Sequence, residues 1–251
     1  MTDVVKALHS SVDHLHGIVV GLDATQLRRQ AYPSEWTVAD VLSHLGSGAV
    51  ISLRGLDDGL SGSAPDPDFN QSVWDEWNAK DPEAQAAGVL AADAALVARL
   101  DAVGDAERAA FRFTMGPFDL GFDGFVGLRL NEHVLHTWDV EVALHPGAVL
   151  PEVEASAVVD NLEMIARFAG KPTGAEHTVA VATTEPVRGF TLDFAADSLG
   201  MSASEPSARP DLSLPAESFV RLVYGRLDPG HTPAGLEGPV LDDLRKAFAG
   251  F

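Results

Sequence analysis

The sequence predicts two domains of different class, an α-helical domain over residues 1–150 and an α+β domain over residues 151–251. In the first part, apolar residues recur every three to four positions, as they do along one face of a helix. After Pro151 the pattern changes to short segments of alternating and β-branched residues, bounded by Gly, Pro and Ser. A chain of 251 residues accommodates one large domain or two modest ones.

The first domain contains four amphipathic segments long enough to be helices. The second of them begins at Thr37, which suits an N-cap because Asp40 can reach back to its backbone N–H. The third begins just before Pro82, and the fourth ends before Pro146. The predicted helices cover residues 3–22, 37–53, about 82–103 and about 122–144, with a Gly-, Ser-, Pro- and Asp-rich loop at 55–70. Such helices favour an antiparallel bundle, whose core faces are a usual place for metal ligands.

The second domain is predicted to combine a small sheet with helices. Its strand candidates alternate apolar and polar residues and are rich in Val and Thr. The predicted helices are 152–169, 216–227 and 239–248, and the predicted strands are 177–183, 188–195 and 209–214. Together they form a compact α+β unit of about 100 residues, a common domain size.

The charge of the chain excludes several classes of partner. There are 37 acidic and 17 basic residues, a formal net charge of −20. Phosphate binding needs clustered Lys and Arg, so we expect no nucleic-acid partner and no anionic membrane partner. The first residues do not form a secretory signal, and no run of about 18 apolar residues could span a membrane. The acidic charge itself is explained by solubility. Separately, we expect a monomer.

The sequence contains no cysteine. This fits a reducing compartment, so we expect the protein in the cytoplasm. It also excludes a thiol nucleophile and thiolate metal ligands from the chain. Any sulfur chemistry must therefore use an external thiol.

The predicted fourth helix carries a carboxylate and an imidazole one turn apart, Glu132 and His136. Residues four apart lie on one helical face, so both side chains can point at one ion. Their donor atoms suit Zn²⁺, and a catalytic zinc needs a third protein ligand and an open position. His44 is the best third ligand, because small residues at 46–49 let another helix or a ligand approach its helix.

The spacing by itself is weak evidence. With 9 histidines and 37 acids in the chain, chance alone gives about one acid–histidine pair four residues apart. Asp40 and His44 are another such pair. His133 could compete as a ligand, but it points about 100° away from Glu132 on the helix.

A polar stripe on the same helix adds context. Arg129, Glu132, His136 and Asp139 follow one another at spacings of three, four and three residues. Polar residues on a buried face are costly unless they bind a ligand or each other, so a metal site, a satisfied polar network and an exposed face all remain possible. In a metal site, Asp139 would be the carboxylate that orients His136.

Two segments resemble the mycothiol-dependent maleylpyruvate isomerase family: residues 35–45, EWTVADVLSHL, and residues 129–140, RLNEHVLHTWDV. The resemblance continues in the tail, at 214–217, 224–227, 241–244 and 248–251. It implies a DinB-like four-helix bundle followed by a sterol-carrier-protein-like α+β domain. It further implies zinc bound by His44, Glu132 and His136, with mycothiol as the thiol cosubstrate. An arginine of the C-terminal domain acts in this family; Arg226 is the best match, with Arg221 as the alternative.

The resemblance leaves more than one function open. Zinc held by two neutral histidines and one carboxylate can stabilise a thiolate, because coordination deprotonates a thiol. That thiolate could be transferred to an electrophilic small molecule, or it could add to a double bond and leave again after a cis–trans rotation. The alternative is a non-catalytic protein that binds an apolar ligand and has a structural metal site. A non-haem iron oxygenase is a third reading, although its two-His-one-carboxylate triad normally lies in a β-barrel.

Overall fold

The chain divides into two compact units, Met1–Ala148 and Val149–Phe251. The structure is a computed structural model, and it describes residues 3–64, 66–116, 118–174 and 176–250. The first unit is almost entirely helical, whereas the second combines a sheet with helices. The predicted mixture of helical and sheet structure is therefore confirmed. Among the described residues, no helix is both long and apolar enough to cross a membrane.

The first unit contains four long helices, a few short ones and a small hairpin. The helices are α1 (Asp3–Val19), α2 (Ala24–Leu27), α3 (Val38–Ser61), α4 (Phe69–Asn78), α5 (Pro82–Asp101), α6 (Asp105–Ala110) and α7 (Phe122–Leu144), with strands β1 (Phe113–Met115) and β2 (Phe118–Leu120) between α6 and α7. Helix α3 packs on α4, α5 and α7, and α1 packs on α5 and α7. The side chains of Leu15, Leu45 and Val89 lie in the shared core.

The predicted starts of the second and third helices are confirmed by their caps. The Thr37 hydroxyl accepts from the backbone N–H of Asp40, and the Asp40 carboxylate accepts from that of Thr37 at 2.8 Å. Asp81 caps α5 in the same sense, with Pro82 in its first turn. These contacts satisfy N–H groups that have no partner within the helix.

The predicted loop at 55–70 is wrong over most of its length. Helix α3 continues to Ser61, and α4 begins at Phe69. The Gly-, Ser-, Pro- and Asp-rich composition predicted a break, but Gly55 and Gly59 lie where the helix meets aromatic rings. A Cβ at Gly55 would touch Phe113 at 3.2 Å, and one at Gly59 would overlap the ring of Phe111. Close packing therefore explains these glycines, and only Gly62, with a φ of 70°, ends the helix.

The second unit contains a four-stranded sheet of order β5-β4-β3-β6. Strands β3 and β4 form an antiparallel hairpin, and β6 pairs with β3 in parallel. The elements are α8 (Glu152–Val159), α9 (Leu162–Ala169), β3 (His177–Thr184), β4 (Val187–Phe194), β5 (Leu199–Ser204), β6 (Leu212–Leu214), α10 (Ala216–Val223), a 3₁₀ turn (Pro229–His231) and α11 (Pro239–Ala247). Helix α10 packs on α8, α9 and β3.

Three details of the second unit differ from the sequence prediction. The predicted helix 152–169 is interrupted, because the Asn161 amide donates to the Ala157 carbonyl in competition with the helical backbone. The predicted strand 209–214 shortens to β6, since Pro210 has no N–H to give to a ladder. Strand β5 was not predicted; its Gly, Ser and Ala residues have little strand preference, and it forms by pairing with β4.

Candidate metal centre

Helices α3 and α7 bring the three predicted ligands together. The Nε2 atom of His44 lies 3.2 Å from Oε2 of Glu132, and the Nε2 atom of His136 lies 3.6 Å from the same oxygen. The imidazole centroids are 4.6 Å apart. One donor atom from each residue lies within 4.8 Å of the other two. The spacing on α7 and the facing position on α3 thus produce one cluster.

The three side chains of the cluster are exposed to solvent to different extents. The side chain of Glu132 is 50% exposed, that of His44 35% and that of His136 13%. Desolvation raises the pKa of Glu132, but hydrogen bonds and charge from His136 and His44 lower it by more, so the pKa lies far below its ordinary range. The carboxylate is therefore ionised at neutral pH and faces two imidazole nitrogens.

Asp139 lies behind His136, as the sequence predicted. Its Oδ2 is 2.8 Å from Nδ1 of His136, and the carboxylate is fully buried. In the neutral imidazole, an Nδ1–H that donates to Asp139 leaves Nε2, the atom on the side of Glu132, as the nitrogen with the lone pair. This carboxylate–histidine arrangement fixes the tautomer that a metal ligand requires.

A cavity of about 460 Å³ adjoins His44. The indole of Trp36 forms one wall, with its ring centroid 5.2 Å from that of His44 and 5.8 Å from that of His136. The other lining side chains are mostly hydrogen-bonding groups: Glu35, Asp40, Ser47, Trp74 and Asn78. The cluster thus lies beside a space large enough for a small molecule.

Two polar residues of α7 are not part of the cluster. His133 is fully buried, with Nδ1 2.7 Å from the Ser11 hydroxyl and Nε2 3.1 Å from Asp93. Arg129 donates to Asp93 at 2.9 Å. This placement of His133 agrees with its exclusion from the predicted ligand set. Arg129 belongs to a buried, hydrogen-bonded polar network, and a polar network was one of the alternatives that the sequence left open.

Asp93 and Trp36 were not among the predicted site residues. Asp93 lies on the stripe of Val89, Leu96 and Leu100, where a lone carboxylate on an apolar helix face is a signal for a buried partner. Trp36 stands in the segment that carried the family resemblance, but its position over the imidazoles depends on the fold.

Both arginines lie in the second unit. Arg221 is in the last turn of α10, and Arg226 follows just after the helix. Arg221 is buried and donates to Glu217 at 2.8 and 3.0 Å and to the carbonyl of His231 at 2.7 Å. Arg226 is also largely buried, and its Nη1 donates to the Tyr224 carbonyl at 3.0 Å. The catalytic role of Arg226 stays a prediction.

The donor set fits zinc better than a hard cation. Two imidazole nitrogens and one carboxylate oxygen are a ligand set of catalytic zinc sites, whereas Mg²⁺ and Ca²⁺ prefer oxygen ligands alone. The three groups converge from two helices, and the exposed side of Glu132 leaves access for a fourth ligand. Zinc binding by these residues remains a prediction at this point.

Comparisons with known proteins relate the chain to one family. The profile of the mycothiol maleylpyruvate isomerase N-terminal domain matches residues 8–141, which include all of α3 and most of α7. Crystal structures of the mycothiol-dependent maleylpyruvate isomerase and of a histidine-to-alanine mutant of it each cover 95% of this chain and 95% of their own, with a TM-score of 0.65. At sequence identities of 15% and 14%, this structural similarity shows a shared fold. No curated protein sequence matches significantly. Because the profile covers more than half of its length, the chain belongs to the mycothiol maleylpyruvate isomerase family.

Proposed function

We propose that the protein is a zinc- and mycothiol-dependent enzyme that acts on an electrophilic small molecule. The observation that carries the proposal is the convergence of His44, Glu132 and His136 within 4.8 Å in a member of this family. The reaction is cis–trans isomerisation of the maleylpyruvate isomerase type or transfer of the thiol to the electrophile. A cysteine-free chain suits both reactions, since the reactive sulfur comes with the cosubstrate.

Each residue of the site has a defined task in this proposal. His44, Glu132 and His136 hold the metal, whose charge lowers the pKa of a thiol from its ordinary value of about 8.5. Asp139 keeps Nε2 of His136 available as a ligand atom. Trp36 covers one side of both imidazoles and limits the access of water there. The adjoining cavity, with its carboxylate, hydroxyl and amide groups, receives the cosubstrate or the electrophile.

The two reactions share their first step. The sulfur forms a bond to an electrophilic carbon, and the electron pair of the double bond moves toward an activating carbonyl. In isomerisation the resulting single bond rotates, the electron pair returns and the sulfur leaves. In transfer the carbon next to the carbonyl takes up a proton, the carbonyl is restored, and the sulfur remains attached to the electrophilic carbon. A cation near the carbonyl oxygen stabilises the intermediate in both cases.

We assign that cation to Arg226 rather than to Arg221. Arg221 is committed to a buried ion pair with Glu217 and to the His231 carbonyl, so it is already part of the second unit's core. We expect Arg226→Met to lower kcat/KM by more than any loss of stability accounts for, and Arg221→Met to lower stability itself, because it leaves the Glu217 carboxylate without its partner. Urea unfolding beside steady-state kinetics separates the two; a catalytic loss from Arg221→Met in a stable protein would reverse the assignment.

At the level of the fold, we propose that α1, α3, α5 and α7 form a DinB-like bundle and that the second unit is a sterol-carrier-protein-like domain. The mutual packing of the four long helices supports the first assignment, and a helix-covered four-stranded sheet supports the second. We further propose that the protein acts as a monomer in the cytoplasm, where a reduced low-molecular-weight thiol is available.

The function is tested by incubating zinc-loaded protein with mycothiol and either maleylpyruvate or a panel of electrophiles. Mass spectrometry and chromatography then report conjugates and isomers. We expect thiol-dependent turnover that Glu132→Gln and His44→Ala abolish. His9→Ala is the matched control, since His9 pairs with Asp101 on the surface.

The outcomes separate the alternatives. An isomer without a conjugate identifies an isomerase, and an accumulating conjugate identifies a transferase. Turnover that requires iron and consumes oxygen would contradict the zinc proposal. Stoichiometric zinc without turnover of any thiol would leave a metal-containing binding protein.

A further inference from the structure

A buried polar network crosses the interior of the helical unit beside the candidate metal centre. It consists of Ser11 on α1, Asp93 on α5, and Arg129 and His133 on α7. Asp93 accepts from Arg129 at 2.9 Å and from His133 at 3.1 Å, and the second nitrogen of His133 is hydrogen-bonded to the Ser11 hydroxyl at 2.7 Å. All of these side chains are buried.

Arg129 extends the network to α3. Its Nη2 donates to the backbone carbonyl of Leu45 at 2.8 Å, in addition to its bond to Asp93. Leu45 directly follows the ligand His44, and Arg129 lies one turn before the ligand Glu132. One guanidinium therefore connects the two ligand-bearing helices within one residue of His44.

Gly48 gives the guanidinium its place against α3. A Cβ at this position would lie 2.7 Å from Nη1 of Arg129, closer than such atoms approach in real structures. The small residues after His44 thus admit a side chain of α7 as well as neighbouring helices. Any larger residue at 48 would displace the guanidinium without altering its charge.

The network suits a positioning role because its members cannot move independently. A buried guanidinium that loses one acceptor keeps its desolvation cost, so the geometry with both acceptors is strongly preferred. The Leu45 carbonyl is fixed by the helical backbone of α3. The position of this carbonyl against α7 therefore determines where His44 meets Glu132. Metal ligands must be held to about 0.5 Å for productive geometry.

We propose that Arg129 and Asp93 are positioning residues that set the distance between His44 and the ligands on α7. Asp93 holds the guanidinium in place, and Arg129 fixes α3 against α7. This inference rests on the zinc-binding part of the proposed function and is independent of the thiol and the substrate.

The test measures metal binding and stability in the same variants of the full-length protein. Zinc affinity is obtained by competition with a chromophoric chelator, and the ligand geometry is read from the absorption of Co²⁺ in the site. Urea unfolding of the metal-free protein gives the stability. The variants are Arg129→Met, which removes the bridge, and Gly48→Ala, which only displaces it. Leu100→Ala is the control, as a buried residue two turns along α5 from Asp93.

We expect Arg129→Met and Gly48→Ala to weaken zinc binding at least tenfold and to change the Co²⁺ spectrum. Leu100→Ala should lower the urea midpoint and leave zinc affinity within about twofold, since it opens a cavity in the core but removes no member of the polar network. Unchanged affinity and spectrum in folded Arg129→Met and Gly48→Ala would overturn the positioning role. A wild-type protein that binds no metal would overturn the zinc proposal itself, and wild-type metal binding without turnover would overturn only the catalytic proposal.

Discussion

Asp139 shows how one buried carboxylate can decide what a histidine does. Its oxygen lies 2.8 Å from Nδ1 of His136, in a position without solvent exposure. We expect Asp139→Asn to weaken zinc binding about 10- to 100-fold, because an amide supports the required tautomer less well than a carboxylate. Chelator competition measures the effect. Asp101→Asn is the matched control, since Asp101 contacts Nε2 of His9 at 3.0 Å on the surface; equal affinities in the two variants would contradict the assignment.

Asp93 gives the protein a specific dependence on acid. Burial raises its pKa, but His133 and Arg129 lower it by more, so the pKa of the folded state lies below the ordinary carboxyl value. A depressed folded-state pKa stabilises the protein above the unfolded-state pKa of about 3.9, and the contribution disappears as the pH falls through the folded-state value. In metal-free protein, the stability difference between wild type and Asp93→Asn should therefore be largest near neutral pH and shrink in acid.

Urea unfolding at pH 7, 5, 4 and 3 measures this difference. Asp13→Asn, at an exposed position of α1, is the control and should show little change at any pH. At neutral pH, Asp93→Asn leaves the Arg129 guanidinium buried without a charged partner, and we expect a loss of about 3–5 kcal/mol. A difference that stays constant from pH 7 to pH 3 would show that the charge of Asp93 contributes nothing.

The residues of the site could be predicted to different extents. The pairing of Glu132 with His136 and the role of Asp139 follow from helical spacing, which is local. The separation of His133 from the site follows from the same geometry. The partners of Arg129 could not be predicted, because Asp93 is 36 residues away in sequence and Leu45 is 84 residues away. Such contacts depend on how the helices pack.

At the scale of elements, the effect of replacing a helical glycine by alanine on stability depends on whether a neighbouring helix packs closely against it. A Cβ at Gly46 of α3 would overlap the buried indole of Trp77 on α4. We expect Gly46→Ala to destabilise the protein by about 1–3 kcal/mol, more than the gain of about 1 kcal/mol in helix propensity. Gly17→Ala on α1 is the matched control, because nothing lies within 4 Å of its Cβ position. It should stabilise the protein by up to about 1 kcal/mol, and urea unfolding of both variants tests the contrast.

The same physics explains which elements the sequence predicted. Thr37, Asp81 and Pro82 mark helix starts through local hydrogen bonds and a fixed φ, and those starts are confirmed. Gly55 and Gly59 were taken as loop residues because composition does not distinguish a flexible glycine from one pressed against an aromatic ring. Strand β5 and the break at Asn161 likewise depend on pairing with β4 and on a side-chain contact. Capping residues were therefore reliable guides to helix starts, whereas composition did not reveal the features that depend on packing or pairing.

At the scale of the whole molecule, metal binding should affect the two units unequally, because all three proposed ligands lie in the first. The four tryptophans of the chain, Trp36, Trp74, Trp77 and Trp138, also lie in that unit. Tryptophan fluorescence therefore reports the unfolding of the helical unit, whereas far-UV circular dichroism reports both. Free zinc at 100 times its Kd should stabilise the folded helical unit by about 2.7 kcal/mol. We expect zinc to raise the fluorescence midpoint in urea for the wild type and for His9→Ala but not for His136→Ala. A rise of equal size in His136→Ala would show that zinc binds elsewhere in the chain.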